Sequence, residues 1–376
     1  MRAASALRLV VKVGTSTLTN ARGGIDRGFL SDLARQLAQE QSKGNEVLLV
    51  TSGAIRAGKD RLQLETPLPD TLPYKQAAAA IGQGQLMHHY TEAFAWREVN
   101  CAQILLTRDD LSDRKRFLNA RNTLLALLSL GVVPVINEND TVAVDEIKFG
   151  DNDSLAARVA TLVEADLLVI LSDVEGLYAE PPTSNAELPP PIRTVSKIDA
   201  DILALTGGSH SGVGTGGMRT KVEAARIATE AGIRTIIAPG RRENVITEII
   251  AGHEIGTTFL PQPEPERLSA RKRWIAYNAR PRGSVTVNSP ARQKLQKSGV
   301  SLLAIGITAV KGNFTVGDLI EVLDENEASF GRGLANYTAS EIRQVMGLHS
   351  DRFEEILGYR GFEEILHRDN LVIETD

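Results

Sequence analysis

Residues Leu7 to Ser16 read LRLVVKVGTS, a short β-branched run, apolar except at Arg8 and Lys12, that breaks at Gly14. A strand without strict apolar–polar alternation is one covered on both faces, as in a parallel sheet flanked by helices. The next segments extend that reading. Asp26 to Lys43 places Phe29, Leu30, Leu33 and Leu37 on one helical face, with Gly44 as its C-cap. Glu46 to Thr51 is a second strand, stopped by Ser52-Gly53 and followed by a helix to about Leu62. A proline-bearing loop then leads into a long Ala- and Gln-rich helix, Tyr74 to about Arg97.

The alternation continues. Strands are expected at 100–106, 132–137, 166–172, 234–238 and 257–260, and helices at 117–130, 154–164, 217–231 and 244–251. This pattern predicts an α/β fold, a three-layer αβα sandwich around a mainly parallel sheet. In such sheets ligands sit beyond the carboxyl ends of the strands, and small polar clusters recur there: GTS, SGA, NENDT and SDVEG. From about Pro261 the character changes. A proline-punctuated linker (263–273) leads to short strands (284–287, 302–307, 319–323), helices at 289–297 and 340–346, and Gly-rich turns such as KGN and FGRG. The expected division is 1–262 as the nucleotide- and substrate-binding domain and 274–376 as a small β pseudo-barrel.

Composition narrows the function classes. Hydrophobic content of 42% with 24% charged residues is that of a globular protein with a sizeable core. Net charge −5 argues against a chain that binds nucleic acid over its whole surface. One cysteine, Cys101, excludes a disulfide framework. The histidines show no metal-ligand spacing, so no protein-borne metal site is expected. Arg8 and Lys12 interrupt the first apolar segment, and no stretch is long and apolar enough to span a bilayer, so a cytoplasmic chain without membrane contact is expected.

Three clusters carry chemistry. Lys12 lies at the carboxyl end of an apolar strand, where an ammonium needs an anion or a route to solvent. Gly212 to Lys221 reads GVGTGGMRTK, with four glycines in the six residues 212–217 ahead of a helix. Such a loop can aim backbone N–H groups at a phosphate, or simply be a flexible connection; it is not a Walker A loop. Ile147 to Asp153 reads IKFGDND and opens another helix, so its Asp and Asn suit a cap as well as a site. Two lysines beside glycine turns suit a transferring phosphoryl group, with Asp151 and Asp153 orienting them or holding a nucleotide-bound Mg²⁺.

The ordered set VKVGTS, VTSGAI, LLTRDD, RFLNARNT, PVINENDTV, IKFGDND, LSDVEGLY and GVGTGGMRTK resembles the glutamate 5-kinases of the amino acid kinase family. LLAIGI, KGNFTVGDLIEV and GRGLANY resemble the PUA domain, known from RNA-modifying enzymes. Ser172 and Ala304 depart from these patterns, which more often have threonine and proline there. The resemblance implies ATP-dependent phosphorylation of the L-glutamate side-chain carboxylate, the first step of proline synthesis, with Mg²⁺ carried by ATP and proline as feedback inhibitor. By position it implies that Lys12 and Lys221 stabilise the γ-phosphoryl, helped by Gly14, and that Asp153 organises both lysines. It implies that Ser52, Asp140 and Asn152 hold glutamate, Asp140 through the α-ammonium, and that Lys148 shapes the substrate loop. Ser172 and Asp173, with Thr215, Gly216, Gly217, Met218, Arg219, Thr220 and Lys221, would bind ATP. It also implies a homo-oligomer, dimer or tetramer.

Other readings remain open at this level. One is another member of the family, acting on aspartate, acetylglutamate or carbamate. The other is an RNA-binding protein acting through the tail. Residues 271–297 hold eight Lys/Arg and no Asp or Glu, a face for RNA phosphates or simply a solvated surface, with only Trp274 and Tyr277 to stack bases.

Overall fold

The computed structural model describes residues 6–20, 24–63, 68–143, 152–180, 189–206, 217–263, 272, 274–275, 281–359 and 361–373. They form two compact units, Met1–Leu111 with Lys115–Arg267, and Ser112–Arg114 with Leu268–Asp376. Of the sequence-derived candidates, Lys148, Asp151, Thr215 and Gly216 lie outside the described residues, as do Arg271, Arg273, Tyr277 and Arg280 of the basic stretch.

The first unit is built on eight strands: β1 (Arg8–Val13), β2 (Glu46–Val50), β3 (Cys101–Leu106), β4 (Val133–Glu138), β5 (Leu167–Ser172), β6 (Thr194–Val195), β7 (Arg234–Pro239) and β8 (Thr257–Phe259). Their order in the sheet is β3-β4-β2-β1-β5-β7-β8-β6. Strands β1 to β5 and β7 run parallel; β8 is antiparallel to β7, and β6 follows it at the edge. The sheet is thus mainly parallel, as the alternation requires, with a reversed edge. The two-residue β6 is too short to leave any periodic trace in sequence.

The helices among the described residues up to Ile250 are α1 (Thr15–Leu18), α2 (Arg27–Ser42), α3 (Ala54–Leu62), α4 (Leu72–Ala95), α5 (Arg108–Ser112), α6 (Arg114–Ser129), α7 (Asn152–Leu162), α8 (Ala200–Ala204), α9 (Met218–Glu230) and α10 (Val245–Ile250). Leu9, Val11 and Val13 of β1 pack with Leu30, Leu33 and Leu37 of α2, Tyr90 and Phe94 of α4, and Ile246 and Ile249 of α10. Because side chains alternate along a strand, Val10 and Lys12 face the opposite side, where α7 packs on β1 and β5 and α9 packs on α7. Both faces of the central strands are therefore covered, which is why β1, β2 and β5 are buried nearly throughout.

The chain leaves β1 toward β2 and later returns to β5 on the other side of β1. In open α/β sheets, ligands bind beyond the carboxyl ends of the strands at such a reversal. Gly14 and Asp173 directly follow β1 and β5, and Ser52 lies two residues beyond the end of β2.

The second unit has a five-stranded sheet and a two-stranded one. With β9 (Gly283–Val287), β10 (Leu302–Leu303), β11 (Ile307–Gly312), β12 (Leu319–Leu323), β13 (Ser329–Leu334), β14 (Glu364–Leu366) and β15 (Leu371–Ile373), the orders are β11-β9-β12-β13-β15 and β10-β14. Its own core gathers Val285, Ile320, Val322, Tyr337, Ile342 and Phe353. Two expectations fail here. The run 302–307 is not one strand, because a 3₁₀ turn at Ala304–Gly306 separates β10 from β11. FGRG is strand β13 rather than a turn. Its glycines are needed for contact: a Cβ on Gly331 would lie 2.9 Å from the Val372 carbonyl oxygen, and one on Gly333 2.8 Å from that of Asn370.

Candidate active site

Lys12 is fixed by its strand. Its backbone pairs with Val50 on one side and Ile170 on the other, and the side chain is 5% exposed. Asp153, the second residue of α7, is fully buried opposite it. The Lys12 ammonium forms an ion pair with Asp153 Oδ1, while Lys221 Nζ lies 3.4 Å from Oδ2. Thr220 Oγ1 donates to Oδ2 at 2.9 Å. Thr220 and Lys221 lie in the first turn and a half of α9, so the amino ends of α7 and α9 converge on one carboxylate. Gly217 caps α9 without a side-chain hydrogen bond, which leaves the first N–H groups of that helix to other acceptors. Gly14 completes the corner: a Cβ there would sit 3.3 Å from Lys12 Nζ.

The electrostatics follow from this geometry. Burial alone would raise the Asp153 carboxyl. The Lys12 and Lys221 charges, with hydrogen bonds from Lys12 and Thr220, outweigh it and hold the group below the ordinary carboxylate range. Two buried ammoniums on one carboxylate make a cationic corner suited to the negative oxygens of a phosphoryl group.

Beside this cation corner stands a neutral one. The two hydrogens of Asn152 Nδ2 are shared among Thr51 O (2.8 Å), Ser52 Oγ (2.9 Å) and Asn137 Oδ1 (2.9 Å). Asn137 Nδ2 donates in turn to Gln83 Oε1 of α4 at 2.8 Å. Asn152 and Asp153 are adjacent in sequence, so the two corners share the start of α7. Asp140 lies in the turn after β4, half-buried, and burial pushes its carboxyl up to about 6.

Of the candidates, Lys12, Asp153, Thr220 and Lys221 come together as one ionic cluster, and Ser52 joins Asn152. Ser172 is buried at the end of β5, with its Oγ 3.2 Å from Asp173 Oδ1. Arg219, one residue before Thr220, points instead to Glu223, its Nε 3.0 Å from Oε1. Thr51, Asn137 and Gln83 escaped the sequence reading. Asn137 stands in the polar NENDT cluster, which points to the strand end without singling it out. Gln83 lies inside a helix whose composition carries no such signal.

A model of the amino acid kinase family matches residues 7–239, and a model of the PUA domain matches 283–357. The glutamate 5-kinase of Pelobacter propionicus is 49% identical over 368 residues, covering 97% of each chain. That of Trichlorobacter lovleyi is 50% identical over 371 residues, 98% of this chain and 97% of its own. Carbamate kinase from Giardia lamblia, solved bound to AMP-PNP, superposes with a TM-score of 0.50 at 18% identity, covering 69% of this chain and 99% of its own. That likeness concerns the fold. On these matches, the chain belongs to the amino acid kinase family, in its glutamate 5-kinase branch, and carries a PUA domain behind the kinase fold.

Proposed function

We propose that the chain transfers the γ-phosphoryl group of ATP to the side-chain carboxylate of L-glutamate, forming L-glutamyl 5-phosphate for proline synthesis. The observation that carries this reading is the pair of buried ammoniums on Asp153 at the sheet's switch point. The nucleophile is a carboxylate of reference pKa about 4.3, already anionic at neutral pH, so no general base is required. The obstacle is repulsion between that anion and the phosphates. Lys12 and Lys221 offset it, and Asp153 holds both ammoniums in place so that little reorganisation accompanies transfer.

The division of the site supports the same assignment. The uncapped start of α9 faces the phosphates, with Ser172 and Asp173 at the nucleotide side. The Ser52–Asn152 corner and Asp140 hold glutamate, the Asp140 carboxylate meeting the α-ammonium. Mg²⁺ would come with the nucleotide and would neutralise part of the phosphate charge. Proline, smaller than glutamate but sharing its α-carboxylate and amine, competes in the amino-acid half of the site. Homo-oligomer formation and an RNA contact through the PUA domain belong to the same reading.

Glutamate-dependent ADP release tests it. The wild-type chain is expected to release ADP with L-glutamate and not with aspartate, acetylglutamate or carbamate. Lys221→Ala is expected to lower kcat by about 10²–10³, the loss typical of one preorganised charge contact. ADP release that ignores glutamate, or near-normal turnover in Lys221→Ala, overturns the assignment.

A further inference from the structure

Four side chains from four elements form one hydrogen-bonded line. Gln83 of α4 accepts from Asn137 of β4, Asn137 accepts from Asn152 of α7, and Asn152 donates to Ser52 at the end of β2. Amide groups can flip, so the direction of such a line is usually ambiguous. Here two backbone groups remove the ambiguity. The Glu138 N–H donates to Asn137 Oδ1 at 2.9 Å, which makes that atom the oxygen. The Asn137 nitrogen must then point at Gln83, whose facing atom must be Oε1. The Asn152 atom facing Asn137 Oδ1 must be the nitrogen, and the Thr51 carbonyl requires the same.

The consequence falls on the far side of Asn152. Its residue is 8% exposed, and among the described residues its Oδ1 is a buried acceptor without a partner. Leaving such an atom unpaired costs about 1–3 kcal/mol, and chains retain that cost where a ligand removes it. Gln83, 9% exposed, shows a matching buried donor at Nε2.

We infer that Gln83 is a positioning residue for the amino-acid substrate: through Asn137 it locks the Asn152 amide so that Oδ1 is presented to a donor group of that substrate. The inference rests on the glutamate reading above and deepens it. Gln83 does not touch the transferred group. It anchors the Asn137 end of a relay whose polarity the Glu138 N–H and the Thr51 carbonyl fix, and it does so from a helix well removed in sequence from every motif of the site. The recognised chemistry is an N–H donor, which the α-ammonium of an amino acid supplies.

Two variants separate this from a packing role. Gln83→Leu keeps the volume and removes the acceptor. Gln83→Glu keeps an acceptor for Asn137 and removes the Nε2 donor. Steady-state kinetics with L-glutamate and ATP varied in turn are the readout, with thermal unfolding alongside. In Gln83→Leu the KM for glutamate is expected to rise about five- to tenfold, the effect of one neutral hydrogen bond. The KM for ATP and kcat are expected to stay within about twofold, since the ionic corner is untouched, and Gln83→Glu is expected to restore most of the glutamate KM. An unchanged glutamate KM in Gln83→Leu overturns the inference. So does an equal rise in both KM values with a matching loss of Tm, which marks packing alone. Gln83→Glu behaving like Gln83→Leu overturns the stated polarity. A wild-type chain without glutamate-dependent turnover sinks the parent reading instead, and is seen before any variant is made.

Discussion

Asp153 is the residue on which the site's charges balance. It is fully buried, and both lysine ammoniums lean on it. Replacing it by Asn keeps the shape and removes the carboxylate charge on which two buried ammoniums lean. Breaking a buried pair in this way costs about 3–5 kcal/mol, so Asp153→Asn is expected to lower the denaturant midpoint clearly as well as turnover; an unchanged midpoint would show that water reaches the lysines. Asp140 makes a second prediction at this scale. Burial raises its carboxyl to about 6 from 3.8. Its protonated form is thus favoured in the folded chain up to about pH 6, and the ionised form needed to meet an ammonium dominates only above it. As pH falls through about 6, kcat/KM for glutamate is expected to drop tenfold per unit, and Asp140→Asn is expected to remove that limb. A pH profile flat between 5 and 7 in the wild type would remove Asp140 from the ammonium site.

At the scale of elements, the decisive feature is how closely α3 and α4 approach. A Cβ on Gly58 would lie 1.8 Å from the Ala78 carbonyl oxygen, and one on Gly82 1.9 Å from that of Ala54. Backbone meets backbone, and no side chain can swing away. Ala54 opens α3 two residues after Ser52, and Gly53 between them takes φ +96, a left-handed conformation that favours glycine. The crossing therefore sets where Ser52 stands against Asn152, and it places Gln83 next to Asn137. Gly82→Ala is expected to destabilise by about 3 kcal/mol or more, the upper range for overpacking, and to raise the glutamate KM more than the ATP KM. Equal effects on both substrates would show that the crossing does not act through Ser52. Neither glycine stands out in sequence, since GQG and RAG read as ordinary helix interruptions. Lys12, by contrast, is legible in sequence because a lysine in a buried strand demands an explanation.

At the scale of the molecule, each unit has its own core, and every described group of the site lies in the first. A chain ending at Arg267 is expected to keep glutamate-dependent ADP release; loss of turnover in a truncated chain with native far-UV circular dichroism would show that the second unit completes the site. The sequence by itself determined the layered α/β architecture, the family and the polar clusters at strand ends. These follow from hydrophobic periodicity and from glycine and charge placement, which are properties of neighbouring residues. The resemblance already implied that Asp153 organises Lys12 and Lys221, 209 positions apart; only the tertiary structure decided the geometry, with both ammoniums on one buried carboxylate. It also decided that Gln83 belongs with Asn152, that the sheet edge reverses at β8, and that GRG is a strand. The physical reason is common to all four. Pairing, close approach and hydrogen-bond polarity depend on what the folded chain brings within about 3 Å, the range over which hydrogen bonds act, and no local pattern encodes that partner.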